Sequence, residues 1–271
     1  MKTLPVALQI YTVRDEAERD FAKTMRAVHE MGYDYVEPAG LYGIPAPEYR
    51  QILEENGLTA ICAHVPIVEL ISDLDRTLAD YREIGCEYLA IPYLPEEMRP
   101  GTPGFAETLH QIERIARASA ALGMPLLYHN HDFEFVQMED GSFGLDYLYR
   151  VIPAELLQTE LDVCWVKVAG QDPVSYIRRY AGRSPIVHLK DFVGEKSENM
   201  YELIGMEKKP SAAPQSFAFR PVGQGVQNFP PILEAAVEAG ARYVVVEQDD
   251  WQGPSLAAAR ESREYLRSLG W

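Results

Sequence analysis

The chain alternates short runs rich in β-branched and aromatic residues with longer stretches in which apolar residues recur every three or four positions. The first kind of run is typical of buried strands and the second of amphipathic helices. Eight such pairs follow one another. The predicted strands are 6–11, 35–38, 59–65, 88–92, 125–130, 157–163, 186–189 and 243–247. The predicted helices are 20–31, 47–56, 72–84, 104–122, 144–152, 173–180, 229–239 and 254–269.

Glycines separate many of these pairs. Five of the predicted helices are followed directly by a glycine, the residue that most easily adopts the left-handed conformation that ends a helix. Strand–helix alternation repeated eight times predicts a parallel sheet closed into a single (β/α)₈ TIM barrel. A doubly wound open sheet is the alternative, but it usually begins with a Gly-rich phosphate-binding turn, and none follows the first predicted strand. The five glycines are Gly32, Gly57, Gly85, Gly123 and Gly240.

One long segment, 192–228, separates the seventh predicted strand from its helix. It is far longer than the usual βα loop of about 2–6 residues. It contains charged and small residues and ends in the sequence PVGQG at 221–225. We expect residues 1–271 to form one barrel domain in which this loop is a lid or a wall of the substrate site. Surface decoration is the alternative.

Composition and charge then narrow the class of protein. A chain of 271 residues suits a single barrel. The net charge of −16 would repel a polyanion, so we expect no nucleic-acid partner. No apolar run approaches the roughly 20 residues that a membrane span requires, and the N-terminus lacks a signal-peptide pattern. The three cysteines are far apart in the sequence, which fits a cytoplasmic protein without disulfides. The sequence is also compatible with a homo-oligomer.

The predicted strand ends carry the reactive side chains. In a barrel the βα loops build the active site at the carboxyl ends of the strands. His29 and His110 fall inside predicted helices and are expected to be surface or packing residues. The ionisable, amide and phenol groups at strand ends are Gln9, Tyr11, Glu37, His64, Tyr93, the segment 128–134, Asp162, His188, Lys190, Asp191 and the segment 247–250.

A single carboxylate at a strand end is often a helix cap, and a single histidine is often a buried imidazole with ordinary partners. The combination is more informative. Asp162 and Glu247 each end a strand, and a buried carboxylate without a partner is strongly disfavoured. A divalent cation would supply that partner. Mixed oxygen and nitrogen ligands suit Mn²⁺, Mg²⁺, Co²⁺ or Zn²⁺, and the sequence does not distinguish them.

Several of these segments together resemble the sugar phosphate isomerase/epimerase family. These are xylose isomerase-like TIM barrels of the AP endonuclease family 2 superfamily, which also includes inosose dehydratases and the more distant endonuclease IV enzymes. The resemblance runs from the first strand to the last helix and is weakly informative about the substrate. Its carriers are LQIYTVRD at 8–15, YVE at 35–37, YHNHDFEF at 128–135, LD at 161–162, VHLKD at 187–191, PVGQG at 221–225 and VEQD at 246–249.

The resemblance implies one divalent metal ion, held by a Glu, an Asp, a His and a second Glu from the last four strands. Asp162, His188 and Glu247 match this set. His129 stands where many relatives have the first Glu, and Glu134 follows a few residues later. We expect Glu134 to be the fourth ligand. The alternative, in which His129 or His131 ligates the metal, stays open.

The activity implied is that of a metal-dependent isomerase or epimerase, which moves a proton next to the carbonyl of a keto sugar or cyclitol through an enediolate. A lyase, either inosose dehydratase-like or cleaving a 3-keto-glycoside, would use the same enediolate and is the first alternative. A barrel that binds a sugar without converting it is the alternative of another class. The candidate catalytic residues are Glu134, Glu247, His131 and Lys190. The candidate substrate-binding residues are Gln9, Glu37, His64, His129, Lys190 and Trp251.

Overall fold

A ring of parallel strands surrounded by helices forms the body of this computed structural model, which describes residues 3–197, 200–203, 205 and 216–271. The strands are β1 (Val6–Gln9), β2 (Tyr35–Glu37), β3 (Thr59–Ala60), β4 (Cys62–His64), β5 (Tyr88–Ile91), β6 (Leu126–His129), β7 (Leu157–Asp162), β8 (Ile186–Leu189), β9 (Asp191–Val193), β10 (Ala218–Arg220) and β11 (Tyr243–Val246).

The nine-stranded sheet has the order β3-β2-β1-β11-β8-β7-β6-β5-β4, and all its pairings are parallel. β3 and β4 are consecutive pieces of one barrel strand, interrupted at Ile61. The N–H of Ile61 donates to the carbonyl of Val36 at 3.0 Å, and Ala39 forms a parallel bridge with His64. These contacts bring the two ends of the sheet together. The predicted (β/α)₈ TIM barrel is thereby confirmed.

Helices connect the strands. All five glycines expected to end helices have a positive φ, between 70° at Gly57 and 99° at Gly85. Several βα loops contain short helices that the pattern did not predict. One of them is α8, which begins directly after β7 because the side chain of Asp162 caps it. The helices are α1 (Arg14–Arg19), α2 (Phe21–Glu30), α3 (Ala46–Glu55), α4 (Ile67–Ser72), α5 (Leu74–Ile84), α6 (Phe105–Ala121), α7 (Gly144–Val151), α8 (Val163–Val168), α9 (Pro173–Arg179), α10 (Met200–Leu203), α11 (Phe229–Glu238) and α12 (Ser255–Ser268).

Two apolar cores lie on opposite faces of the barrel strands. The larger core fills the space between strands and helices. The smaller one fills the lower part of the barrel interior and is built from side chains at alternate positions of the strands. Because the period of a strand is two, the next inward position on each strand lies closer to the carboxyl end. The interior apolar layer includes Ala7, Cys62, Leu127, Ile186 and Val245.

The two strands near the ends of the long segment after β8 pair with each other. β9 pairs with β10 in antiparallel register, Asp191 opposite Arg220 and Val193 opposite Ala218. The hairpin brings Phe217 to 6.2 Å from Trp165, ring centre to ring centre. Residues 198–199, 204 and 206–215 of the predicted lid lie outside the described residues, so the lid remains a prediction. Among the helices described, none has the length and apolar character to cross a membrane.

Candidate active site

A polar layer crosses the barrel directly above the interior apolar layer. It consists of the residues two positions further along the same strands, which point inward for the same reason. Every member is at least 94% buried, so each charge in the layer needs a charged or hydrogen-bonding partner. The members from these strands are Gln9, His64, His129, His188 and Glu247, and β2 and β7 add Glu37, Glu160 and Asp162.

Glu160 connects the histidines of this layer. Its Oε2 lies 2.6 Å from Nε2 of His64 and 3.2 Å from Nδ1 of His129. The same oxygen lies 3.5 Å from Nε2 of His188. Burial acts to raise the pKa of Glu160, but His188 and His64 together hold it well below its ordinary value. Glu160 is therefore an ionised carboxylate that three imidazoles surround.

Glu37 contacts the same nitrogen of His64 as Glu160 does and completes the layer. Its Oε1 is 2.7 Å from Nε2 of His64 and 3.3 Å from Nε2 of His188, and it accepts a hydrogen bond of 2.7 Å from the amide of Gln9. Burial alone would lower the pKa of His64, whereas Glu37 and Glu160 raise it to about 10. The His64 imidazole is thus a buried cation between two carboxylates.

Lys190 forms a second centre of charge at the mouth of the barrel. Its Nζ lies 2.8 Å from Glu247 Oε2, 2.9 Å from Asp249 Oδ2 and 3.1 Å from Asp162 Oδ2. Burial alone would lower the pKa of Lys190, but these carboxylates raise it well above its usual value. Burial raises the pKa of Asp249 to about 7 despite the nearby ammonium. Lys190 is therefore a permanent cation that holds three acidic side chains together.

Among the described residues, three groups of buried side chains could hold a metal ion, with their ligand atoms within 4.8 Å of one another. The first is His64, His129, Glu160 and His188, the second is His129, Asp162, His188 and Glu247, and the third is Glu37, Cys62 and Glu160. The second combines the three ligands implied by the family resemblance with His129. The Nε2 of His129 lies 3.6 Å from Asp162 Oδ2 and 3.9 Å from Glu247 Oε2, and His188 Nδ1 lies 2.9 Å from Glu247 Oε2.

The donor set of the second group fits a divalent cation. Ligand atoms at about 2.1 Å from an ion stand roughly 3.0–3.4 Å apart in octahedral or tetrahedral coordination. The observed separations of 2.9–3.9 Å bracket that range. His129 and His188 each turn one ring nitrogen toward this group and the other toward Glu160, the arrangement that metal-binding histidines commonly have.

Glu134 lies outside all three groups. Its Oε1 accepts a hydrogen bond of 2.6 Å from the hydroxyl of Tyr128, and its Oε2 accepts one of 2.8 Å from the backbone N–H of His131. Burial raises the pKa of Glu134 to about 8, although these two donors act to lower it. In this geometry Glu134 stabilises the turn after β6. His129 lies beside Asp162, His188 and Glu247, where Glu134 was expected.

A cavity of about 330 Å³ opens above the polar layer. His64, His129, His131, Lys190 and Glu247 all reach its lining. All five are predicted catalytic or substrate-binding residues, and they come from distant parts of the sequence. His131 also contacts Trp165, whose ring centre is 4.8 Å away. Burial, with help from His129 and Lys190, lowers the pKa of His131 well below its usual value, so its imidazole is neutral at pH 7.

Other predicted site residues lie elsewhere. Gln9 and Glu37 belong to the layer below the cavity, where they bond to each other. Trp251 lies 4.6 Å from the guanidinium of Arg14 and is not part of the cavity lining that the described residues form. The structure thus places Gln9 and Glu37 as support for the histidines and Trp251 at the edge.

Sequence reasoning missed Glu160. Glu160 lies within the predicted sixth strand, 157–163, and is not among the predicted site residues. A signal was present, because residues 160 and 162 stand two positions apart in a strand and so point to the same face. A strand whose last two inward positions are both acidic would have indicated a second carboxylate beneath the first.

Comparison with known proteins identifies the family of this barrel. Residues 25–269 match the family model described as xylose isomerase-like TIM barrel. The chain belongs to this family. The resemblance drawn from the sequence motifs is therefore confirmed. Family membership establishes the barrel fold and the enzyme family. It does not determine which reaction the protein catalyses.

Among related sequences of this family, an inosose dehydratase from Geobacillus kaustophilus is 26% identical over 268 residues, covering 89% of this chain and 84% of that protein. An inosose dehydratase from Clostridium beijerinckii is 26% identical over 164 residues, and the match spans about half (51%) of that protein's length.

Among solved structures, a sugar phosphate isomerase/epimerase from Parabacteroides distasonis superposes with a TM-score of 0.79 at 19% identity, covering 99% of this chain and 95% of that one. A xylose isomerase-like TIM barrel protein from Mycobacterium smegmatis in complex with magnesium has a TM-score of 0.68 at 15% identity, covering 99% of this chain and 98% of that one. At these identities the structures show the shared fold.

Proposed function

We propose that this xylose isomerase-like barrel is a metal-dependent lyase that eliminates a leaving group from a keto sugar or cyclitol through an enediolate. The observation that carries the proposal is the position of His131 and Lys190, which both line the cavity beside Glu247 of the proposed ligand group. Lys190, Glu247 and His131 follow β8, β11 and β6, which lie together on one side of the barrel. The segments after β2, β4 and β5 form the other side, where apolar side chains accompany His64, Glu69 and Tyr93.

His129, Asp162, His188 and Glu247 would hold the metal ion. The four side chains are buried, they supply two imidazole nitrogens and two carboxylates, and the spacing of the donor atoms fits one cation. When bound, a divalent cation there would stabilise negative charge on adjacent carbonyl and hydroxyl oxygens of a substrate. Its identity among Mn²⁺, Mg²⁺, Co²⁺ and Zn²⁺ is open.

The side chains on the same side of the cavity would carry the proton transfers. A neutral His131 can accept the proton from the carbon next to the substrate carbonyl. The ammonium of Lys190 can donate a hydrogen bond to the departing oxygen as its bond to carbon breaks, and the proton that His131 has accepted can pass to that oxygen. When that oxygen belongs to a hydroxyl group, the substrate loses one water molecule and no oxidant or reductant is required.

His131 and Lys190 lie on one side of the cavity, which is sufficient for elimination. An epimerase must remove a proton from one face of a carbon atom and return a proton to the other, which requires proton-transfer groups on both sides of the substrate. Elimination can remove the proton and protonate the leaving group from one side. The similarity to inosose dehydratase over 84% of its length also supports elimination. Isomerisation, the leading expectation from the sequence, remains a prediction that the same experiment tests.

The decisive experiment is incubation of the metal-loaded protein with an inosose and with a panel of keto sugars in D₂O, followed by NMR and mass spectrometry. We expect a product that has lost one water molecule. Deuterium incorporation without loss of water would instead establish an isomerase or epimerase. Absence of both exchange and product with every compound would favour a binding protein.

Replacing the proposed base gives a matched test. We expect His131→Gln to lower kcat/KM by about 10²–10⁴-fold, because positioned acid–base groups contribute that much to proton-transfer rates. The control is His110→Gln, since His110 lies exposed on α6 and its loss should leave the rate unchanged. Equal rates for the two variants would contradict the assignment of His131.

Glu160 provides a test of the metal site that does not depend on turnover. We expect Glu160→Ala to weaken metal affinity by about 10–100-fold, because the carboxylate orients both ligand histidines and outer partners of this kind have effects of that size. Competition with a chelating dye measures the affinity. Glu155→Ala is the control, since Glu155 is exposed on the loop before β7. An unchanged affinity in Glu160→Ala would show that the histidines keep their orientation without it.

A further inference from the structure

The cavity has an unusual wall for an enzyme that acts on a bare polyol. Pro66, Ile67 and Val68 follow β4, and Pro92 and Pro95 follow β5, and all five line the cavity. Their side chains are hydrocarbon, and the three prolines also lack a backbone N–H to donate. The wall is continuous with the ionisable side, because Lys190 and Glu247 line the same space.

The apolar wall extends to the outer surface. Val68 is 55% exposed, and Ile71, one turn further along α4, is 37% exposed. Large apolar side chains exposed side by side at a cavity mouth indicate contact with an apolar group. Glu69 is the ionisable member of this stretch, and its side chain is also exposed, at the rim.

A sugar or cyclitol presents a hydroxyl group on almost every carbon. A hydroxyl that leaves water without a hydrogen-bonding partner costs about 1–3 kcal/mol. Against Pro66, Val68 and Pro92 a hydroxyl would find hydrocarbon, whereas an alkyl or aromatic group would be stabilised by burial. The wall therefore selects against a fully hydroxylated substrate on that side and in favour of an apolar substituent.

We infer that the site takes a keto sugar or keto cyclitol whose leaving group carries an apolar body, seated against Pro66, Val68 and Pro92. This inference rests on the proposed lyase function and specifies its substrate class. The proton on the carbon next to the carbonyl is removed, the bond between the following carbon and the ether oxygen breaks, and that oxygen takes up a proton. The products are an unsaturated ketone and an alcohol, with no change in overall oxidation state.

The test compares two glycosides and one free cyclitol. Benzyl and methyl β-D-glucopyranosides oxidised to the ketone at carbon 3 place the glycosidic oxygen β to the carbonyl, and the two alcohols released have nearly equal acidity. A difference in rate then reports contacts with the wall. We expect kcat/KM for the benzyl compound to exceed that for the methyl compound by about tenfold or more, the range that apolar contacts in a pocket provide.

A surface variant assigns that preference to the wall. We expect Val68→Ser to reduce the benzyl-to-methyl ratio by about three- to tenfold. The control is Val151→Ser, since Val151 is similarly exposed, 42%, but lies on α7. The exposed positions make misfolding an implausible cause of either effect.

The outcomes separate this inference from the lyase proposal. Loss of water from the inosose, together with equal rates on the two glycosides, would leave the lyase proposal standing and overturn the apolar leaving group. A benzyl preference that Val68→Ser does not alter would also overturn it. No reaction with any of the three compounds would overturn both.

Discussion

Glu247→Ala should leave the folded protein unable to hold the proposed metal ion. Glu247 Oε2 lies 2.9 Å from His188 Nδ1 and 2.8 Å from Lys190 Nζ, at the centre of the proposed ligand group. Removal of this carboxylate takes away one ligand and half of the ligand group's negative charge. We expect metal affinity to fall more than about 100-fold, beyond the range for outer partners, and kcat/KM to fall by about 10³-fold or more.

Metal content after dialysis, measured by mass spectrometry, checks this expectation, with circular dichroism to confirm the fold. Lys190 keeps Asp162 and Asp249 as partners in the variant, so its ammonium stays paired. Glu238→Ala is the control, because Glu238 is an exposed carboxylate that pairs with Arg178 on the outside of the barrel. Retention of one ion per chain in Glu247→Ala would rule out this ligand group, and the group of His64, His129, Glu160 and His188 would be the next to test.

Asp191→Asn should loosen the long segment after β8. The Oδ1 of Asp191 accepts the backbone N–H groups of Phe192 and Gln227, at 2.9 and 3.1 Å. Its Oδ2 accepts those of Gly223 and Gly225, at 3.0 and 2.8 Å. An asparagine has one oxygen, so in either orientation two buried N–H groups would face its NH₂. We expect a loss of about 2–4 kcal/mol in the free energy of unfolding, the usual cost of unpaired donors at a charged acceptor.

Urea denaturation measures the global effect, and hydrogen–deuterium exchange at residues 223–227 measures a local one. The control is Asp172→Asn. Asp172 caps α9 by accepting the N–H and hydroxyl of Ser175 with a single oxygen, and asparagine caps helices as well as aspartate. We expect that variant to lie within about 0.5 kcal/mol of the wild type. Unchanged stability and unchanged exchange in Asp191→Asn would show that these hydrogen bonds contribute little.

The same contacts give the PVGQG sequence its physical meaning. A Cβ at Gly225 would lie 2.2 Å from Oδ1 of Asp191, so a side chain there would displace the carboxylate. At Gly223, φ is +91° and a Cβ would lie 2.5 Å from the ring of Tyr265. These glycines let the backbone approach Asp191 closely enough to donate both N–H groups to one oxygen. The motif thus anchors the end of the long segment to Asp191.

Much of the fold was predictable because it depends on local pattern. Strand 186–189 agrees with β8 residue for residue, and the helix predicted at 229–239 agrees with α11 within one residue. Glycines ended helices where expected, since the left-handed conformation is a local backbone requirement. The short helices α4 and α8 were missed, because a few residues after a strand carry too little periodicity to distinguish a helical turn from a loop.

The site was predictable to the extent that barrel geometry places strand ends together. Asp162, His188 and Glu247 were named from their positions at strand ends, and the structure brings their side chains into one group with His129. The assignment of Glu134 depended on whether the chain after β6 folds back toward the strand ends. Its carboxylate turns instead to Tyr128 and the N–H of His131.

By itself, therefore, the sequence determined the eight-fold strand and helix order, the barrel that follows from it, and the strand ends at which the chemistry belongs. These depend on periodicity and on glycine conformations, which act over a few residues. Only the tertiary structure decided which side chains share a hydrogen bond or a ligand group, because the layer of Glu37, His64, Glu160 and His188 joins residues up to 151 positions apart. The direction of each buried side chain across the barrel follows from packing and charge pairing among all the strands at once.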